Sequence, residues 1–266
     1  MTPVGRRSRR FDPSVLGLPA AVAVIVVAQM LDGGSARSLW QPTAAMVVFG
    51  GTAAAVIVSF PFEVVWRAML TIVDSFGPRR PAHEIEPTVR QLVNFSIESR
   101  RKGIAALEPE IDRAPDGFLR TALTMAVDGT HPKTARQILD IDNRSRRVAD
   151  EEAADLLETA AGYTPTLGIL GAVLGLIHVM QSLSEPTKLG SGIAVAFVAT
   201  VYGVGAANLV LLPVATRLRQ RAREAAVHRD LIIEGILALQ EGLNPRIVER
   251  KLRSFVIDAQ RSTRAA

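Results

Sequence analysis

PTLGILGAVLGLIHVMQSLSEPTKLGSGIAVAFVATVYGVGAANLVLLP, residues 165–213, is the stretch that decides the fold. Two apolar runs, residues 166–183 and 192–212, flank a short polar loop, and neither run contains Asp, Glu, Lys or Arg. At a rise of about 1.5 Å per residue, each run is long enough to cross about 30 Å of hydrocarbon. Because a charge inside a bilayer is costly, these runs predict two transmembrane helices. The alternative is a buried helical hairpin of a soluble protein.

Small residues recur at close helical spacing in both runs. The first run carries Gly168, Gly171 and Gly175, and the second carries Ala199, Gly203 and Ala207. Such spacing lets helix backbones approach closely in lipid, so we expect each of these helices to pack closely against other helices. Thr200 lies beside this face, where its hydroxyl either meets a packed partner or bonds a carbonyl of its own helix.

A proline bounds the stretch at each end. We expect Pro165 to begin its helix, where the missing N–H has no consequence. A polar sequence of helical character continues past Pro213, so we expect this proline to kink a helix, leaving a carbonyl free near the membrane surface.

The rest of the chain adds two more apolar runs, residues 15–31 and 43–60, and a charged region with amphipathic helical periodicity. The basic cluster before the first run is read as a cytoplasmic anchor, with an export signal as the alternative. The sequence predicts an all-α protein with four transmembrane spans and a helical cytoplasmic domain. Its segments are a cytoplasmic N-terminus (1–14), helices 1 and 2 (15–62), a cytoplasmic helical domain (63–164), helices 3 and 4 (165–213) and cytoplasmic C-terminal helices (214–266).

The distribution of lysine and arginine predicts the orientation. The N-terminus has four, the first short loop one, the large loop fourteen, the second short loop one and the tail eleven. Basic residues accumulate on the cytoplasmic side of a membrane, so both termini and the large loop are predicted to be cytoplasmic.

Composition and motifs argue against several classes of function, namely nucleic-acid binding, metal binding and catalysis. A net charge of +5 could suit nucleic acid, but only 5% of residues are aromatic, and the arginines stand beside apolar runs. The chain has no cysteine, and its four histidines lack metal-ligand spacing. No phosphate-binding loop or nucleophile motif occurs, so we predict a protein that is not an enzyme and holds no cofactor or metal.

The two runs of residues 165–213 carry no carboxylate, although ion-conducting membrane proteins generally have an ionisable or strongly polar group in the pathway. His178 is the titratable group in these runs, and it is either a proton relay or an interfacial side chain. Either the protein conducts nothing, or a partner helix brings a carboxylate against the face that carries Thr200.

The sequence P-T-L-G-I-L-G-A-V-L-G from Pro165, with Thr200 thirteen residues before Pro213, resembles the MotA branch of the MotA/TolQ/ExbB family, stator subunits of the bacterial flagellar motor. The resemblance implies a bacterial inner-membrane protein that forms a ring, a pentamer, around a MotB-like single-span, peptidoglycan-binding partner bringing the ion-binding carboxylate. It implies that Pro165 and Pro213 couple ion passage to movement and that Thr200 faces the pore. Ala172 stands where sodium-driven members commonly have threonine, which favours protons over sodium.

A second match lies in the large loop. Arg100 and Glu108 correspond to positions at which the family engages the rotor protein FliG through charge; from the residues alone they form a solvated polar face. The resemblance thus implies an ion-driven torque generator. The alternatives are a TolQ/ExbB-like subunit that energises envelope transport and a membrane scaffold that conducts nothing.

Overall fold

The structure, a computed structural model, describes residues 17–31, 33, 36–75, 85–114, 116–181 and 186–265. These residues form helices joined by short turns, with no strand among them, which confirms the predicted all-α class. In chain order the helices are α1 (Gly17–Leu31), α2 (Pro42–Ser59), α3 (Phe62–Ser75), α4 (Ile85–Lys102), α5 (Glu108–Arg113), α6 (Gly117–Val127), α7 (Pro132–Gln181), α8 (Pro186–Ala206), α9 (Leu212–Gln240) and α10 (Pro245–Ala265). The predicted cytoplasmic N-terminus, residues 1–14, lies outside the described residues.

Packing divides the chain into two compact units. The first unit comprises residues 1–78 and 151–219, and the second comprises residues 79–150 and 220–266. These limits follow contacts, whereas the predicted segments follow hydropathy, so the predicted division of the chain stays a prediction.

Three of the described helical stretches are long and apolar enough to cross a membrane: α2, α7 and the stretch from Gly192 to Gln240. Helix α1 is apolar but shorter, and the predicted first span, residues 15–31, begins outside the described residues. The number of spans and the orientation of the termini therefore stay predictions.

The prediction that Pro165 begins a helix is wrong, because Pro165 lies inside the 50-residue helix α7. A proline in a helix leaves carbonyls of the preceding turn without their usual donor. The threonines on either side make additional bonds within the helix: Thr164 Oγ1 donates to the Ala160 carbonyl at 2.5 Å, and Thr166 Oγ1 donates to the Tyr163 carbonyl at 2.7 Å. The helix continues through the proline with one backbone hydrogen bond fewer.

The helical path also continues through Pro213, as predicted. A π-helical turn, Ala207–Leu211, joins α8 directly to α9, and Pro213 is the second residue of α9. A wider turn just before a proline accommodates the ring within an otherwise continuous helix.

Two apolar clusters hold the first unit together. One joins Val56 of α2 and Ala68 of α3 to residues 153–160 of α7 and residues 214–218 of α9. The other joins Ala44 and Val48 of α2 to Val198 and Ala199 of α8. Together they fix α2 and α3 against the helices that carry the two prolines.

The second unit has a larger apolar core. Fully buried side chains from α6, α9 and α10 meet there, including Phe118, Leu123, Leu231, Ile236 and Leu252. Such a core buries one face of each contributing helix, in keeping with the amphipathic periodicity of this region.

Candidate functional site

The candidate site begins where α7 and α8 approach each other most closely. A Cβ atom built on Gly203 would lie 2.9 Å from the Thr164 carbonyl oxygen, 3.0 Å from the Gly168 Cα and 3.2 Å from the Pro165 Cα. All three atoms belong to the backbone, so no side chain could move aside. This crossing requires glycine, and it brings Gly203 directly against the turn that contains Pro165.

The other predicted small residues extend the same seam. A Cβ on Gly175 would lie 2.9 Å from the backbone nitrogen of Ala196, and a Cβ on Gly171 would lie 2.9 Å from the Ala199 Cβ. The predicted close packing is confirmed, and the structure shows that α7 and α8 are each other's partners along three successive contacts. Small-residue seams of this kind hold helices together in lipid, where apolar burial gives no advantage.

Thr200 lies beside this seam, half-buried. Its Oγ1 donates to the Ala196 carbonyl one turn back at 3.4 Å, the within-helix bond that was one of the two alternatives. A bond of that length is weak, so the hydroxyl can exchange it for another partner at little cost.

The remaining predicted residues of the pathway do not converge on one point. Ala172 is half-buried, and Pro213 is exposed at the start of α9. Pro165 is brought against Gly203, whereas Thr200 lies on the neighbouring face of α8. His178, the possible relay, is exposed near the end of α7.

A buried threonine pair next to Pro165 was not singled out from the sequence. Thr52 of α2 donates to the Val48 carbonyl at 2.7 Å and lies 3.4 Å from Thr164 Oγ1. Both threonines are buried, and they tie α2 to the proline turn of α7. The sequence signal for this pair was the Thr164 hydroxyl next to Pro165. Its partner Thr52 could not be identified, because it lies 112 residues away in the chain.

Acidic residues of α7 meet one arginine just beyond the apolar runs. Arg219 donates to Asp155 Oδ1 at 2.5 Å and also to the carboxylate of Glu158. The hydrogen bond to Glu158 and the charge of both acids raise the pKa of Arg219 above its ordinary value. This fork keeps α9 fixed on α7 near both prolines.

The second unit contains a polar network in its interior. Buried Arg229 donates through Nε to Asn143 Oδ1 at 2.7 Å and through a terminal nitrogen to Asp150 at 2.8 Å. Asn143 in turn donates to Asp230 Oδ1 at 2.6 Å. Burial raises the pKa of Asp230 above its usual range, although the Asn143 amide opposes that shift.

The predicted rotor contact lies on the surface of the second unit. Arg100 is in the last turn of α4 and Glu108 begins α5, and both side chains are exposed. Gly103 makes the bend between them with φ of 88°, a conformation that favours glycine. Neither charge forms an ion pair in the part of the chain that the structure describes, so both are available to an external partner.

Comparisons with known proteins converge on one group. The family model described as the MotA/TolQ/ExbB proton channel family matches residues 110–230. Motility protein A of Bacillus subtilis (strain 168) is 30% identical over 243 residues, which cover 91% of this chain and 90% of that protein.

Two solved structures have the same fold. The structure of C. jejuni MotAB matches with a TM-score of 0.86 and 29% identity, over 92% of this chain and 95% of that chain. The flagellar MotAB stator complex of Bacillus subtilis matches with a TM-score of 0.85 and 30% identity, over 95% of this chain and 98% of that chain.

Proposed function

Because this chain belongs to the MotA/TolQ/ExbB proton channel family, we propose that it is a stator subunit of the bacterial flagellar motor. With a MotB-like partner it forms an ion channel that couples ion flow to rotor torque. Both solved MotAB structures support this function, since they match over more than nine-tenths of the chain. The proposed assembly is a ring of five copies around the partner's membrane helices.

The proposal of a partner chain rests on one observation: the apolar runs contain no carboxylate. Residues 166–183 and 192–212 contain no acid, so an acidic ion site must come from another chain. The face of α8 that carries Thr200 is the proposed meeting place, because its hydroxyl is held only by a long bond. We place the protein in the inner membrane with four spans and both termini in the cytoplasm, which the distribution of basic residues supports.

The proposed ion is the proton. Sodium requires oxygen ligands that replace its water, and Ala172 offers no hydroxyl beside the packed glycines. We expect swimming to continue unchanged when sodium in the medium is replaced by potassium, and to stop when a protonophore is added. Swimming that requires sodium and survives the protonophore would contradict the proton assignment while leaving the stator function intact.

The proposed coupling element is the proline turn of α7. Pro165 removes one helical hydrogen bond, and the turn packs on Gly203 with no side chain between the backbones. A change at the α8 face is thereby transmitted to α7 through backbone contact. The proposed rotor contact is the pair Arg100 and Glu108, whose charges are exposed and act on oppositely charged rotor residues at short range.

Swimming tests both proposals, in a strain whose only copy of this gene carries Pro165→Ala or Arg100→Glu. We expect each variant to lose most motility at normal membrane abundance. Pro165→Ala restores the missing helical hydrogen bond in the proline turn of α7. Arg100→Glu reverses a charge of the proposed rotor contact. A compensating charge reversal on the rotor should restore swimming to Arg100→Glu and not to Pro165→Ala.

Arg90→Glu provides the matched control for the charge reversal, because Arg90 is an exposed arginine on the same helix α4. It should swim normally. Normal swimming by both test variants would leave a four-helix membrane scaffold without a motor function.

A further inference from the structure

Asn208 places a side-chain amide inside the apolar run of residues 192–212, in the π-helical turn that joins α8 to α9. Its side chain is exposed. At about 100° per residue, the exposed apolar residues Phe197, Val201 and Val204 lie within about 40° of Asn208 around the helix. Gly203, in the seam with α7, lies on the opposite side. A polar group on the free face of a membrane helix indicates a functional site.

The backbone carbonyl of Asn208 has no helical donor. In the π-helical turn the N–H of Leu212, which would ordinarily reach it, donates to the Ala207 carbonyl. The next residue, Pro213, has no N–H. The wide turn before the proline therefore leaves the Asn208 carbonyl free.

The side chain of Asn208 adds a second acceptor at the same place. Its Nδ2 donates to the Val204 carbonyl at 2.9 Å, which fixes the amide against its own helix. Within the residues that the structure describes, Oδ1 accepts no hydrogen bond. Asn208 therefore presents two oxygen acceptors on an exposed face, one from the side chain and one from the backbone.

Hydrocarbon is a poor cover for this face. A polar group that faces lipid without a hydrogen-bond donor is costly. Backbone groups outside the helical bonding pattern are tolerated at membrane depth only where protein or water covers them. The face that carries Asn208 is therefore expected to meet a group that donates a hydrogen bond.

A second copy of the chain is poorly equipped to supply that donor. The hydroxyls of Thr166, Thr200 and Tyr202 already donate to carbonyls of their own chain. The proposed MotB-like partner instead brings a carboxyl group. A carboxyl group donates a hydrogen bond only when it is protonated, so two acceptors without a donor favour its protonated, uncharged form.

We propose that the side-chain and backbone oxygens of Asn208 hold the partner's carboxyl group in its protonated form. This inference rests on the proposed stator function and adds the residue at which the uncharged acid binds. The acid keeps its proton while bound, and a carboxylate, which only accepts, is repelled by both oxygens. Thr200, about 12 Å away along the helix, has a hydroxyl that can donate and therefore suits the carboxylate form.

The surroundings of Asn208 contain no competing charge in the apolar helices. Residues 17–31, 42–60, 166–183 and 192–212 contain no Asp, Glu, Lys or Arg. The other titratable groups of the helices in the first unit are Tyr163, His178 and Tyr202 within or beside these runs, and Glu63, Arg67, Asp74, Glu151, Glu152, Asp155, Glu158, Arg217 and Arg219 outside them. Arg219 is paired with Asp155 and Glu158. The site therefore responds to the protonation of the partner's acid.

The pH dependence of swimming tests the site, with the full-length chain produced beside its partner in a strain that lacks its own copy. Asn208→Leu removes an acceptor that favours the protonated acid, so half-maximal swimming should require an external pH about one unit lower, or about tenfold more protons. Asn208→Asp keeps the acceptor and adds a negative charge, so the half-maximal pH should rise by a similar amount.

Thr216→Val is the matched control, because Thr216 is an exposed polar residue beyond Pro213 whose hydroxyl donates to the Leu212 carbonyl. Its half-maximal pH should be unchanged. Membrane abundance is measured for every variant, and if Asn208→Leu fails to accumulate, the upward shift of Asn208→Asp decides alone.

Unchanged half-maximal pH in the Asn208 variants, or shifts of both in the same direction, would overturn the proposal. Loss of the ring by Asn208→Leu, measured by size-exclusion chromatography in detergent, would overturn it too, because a second copy would then cover this face. The stator function is decided separately by Pro165→Ala and Arg100→Glu. If these variants stop swimming while the Asn208 variants leave the pH dependence unchanged, the stator function stands and this site does not.

Discussion

Replacing Gly203 with alanine is expected to lower the free energy of unfolding by about 1–3 kcal/mol and to reduce or abolish swimming. The added Cβ would lie 2.9 Å from the Thr164 carbonyl oxygen and 3.0 Å from the Gly168 Cα, so α7 and α8 must separate. Their separation also removes the close backbone contact with Pro165. The measurements are the thermal midpoint of the full chain in detergent, membrane abundance and swimming speed.

Gly205→Ala is the matched control, because a Cβ on Gly205 meets no atom within 4 Å. Both changes add one methyl group to the same helix, two residues apart, and alanine is the better helix former by about 1 kcal/mol. We therefore expect Gly205→Ala to be neutral or slightly stabilising. Equal midpoints for the two variants would contradict the assigned backbone contact.

Replacing Asn143 with leucine is expected to cost about 3 kcal/mol, which corresponds to a fall in thermal midpoint of roughly 10 °C. The change removes an acceptor from buried Arg229 and a donor from Asp230 at once. A buried charged group left with an unsatisfied hydrogen-bonding atom costs more than the loss of an exposed pair, and Arg229 keeps only its partly exposed partner Asp150. Circular dichroism of the full chain in detergent would measure the midpoint.

The expected loss depends on pH through Asp230. Burial raises the pKa of Asp230 and the Asn143 amide lowers it, so Asn143→Leu raises this pKa further. A folded-state pKa above the unfolded value gives stability below the unfolded pKa that is lost as pH rises through the folded pKa. The deficit of the variant should thus be complete at neutral pH and shrink in acid, as Asp230 becomes protonated.

Asp150→Asn supplies the comparison within the same network. The Asp150 side chain is 39% exposed, so water can replace its interaction with Arg229, and a loss below about 1 kcal/mol is expected. A loss as large as that of Asn143→Leu would mean that the exposed half of the network, and not the buried half, stabilises the second unit.

Local pattern was sufficient for the helical seam. The four-residue spacing of Gly171 and Gly175 predicted close packing because it depends only on helix geometry. The carboxylate-free runs likewise limited the alternatives to a protein that conducts nothing or a partner chain that brings the carboxylate. The glycine spacing and the lack of carboxylates can each be read from a short stretch of sequence, so neither prediction requires knowledge of distant contacts.

Non-local bonding was beyond the sequence. Pro165 lies inside α7, where the turn that contains it packs against Gly203 of α8, whereas proline statistics favour a helix start. The pairing of Thr52 with Thr164, and of Asn143 with Arg229, joins residues far apart in the chain. Spacing rules contain no information about such pairs. The roles of Arg100 and Glu108 stay predictions for the swimming assay to decide.

The threonine-flanked proline in α7 has a mechanical consequence. A helix resists bending because bending strains its series of backbone hydrogen bonds. At Pro165 one of these hydrogen bonds is missing. The hydroxyls of Thr164 and Thr166 bond the carbonyls of Ala160 and Tyr163, whereas the carbonyl of Ala161, four residues before Pro165, lacks its helical donor. Bending of the 50-residue helix is therefore concentrated in the turn that contains Pro165. The helix stays stiff on either side of that turn when force acts on it.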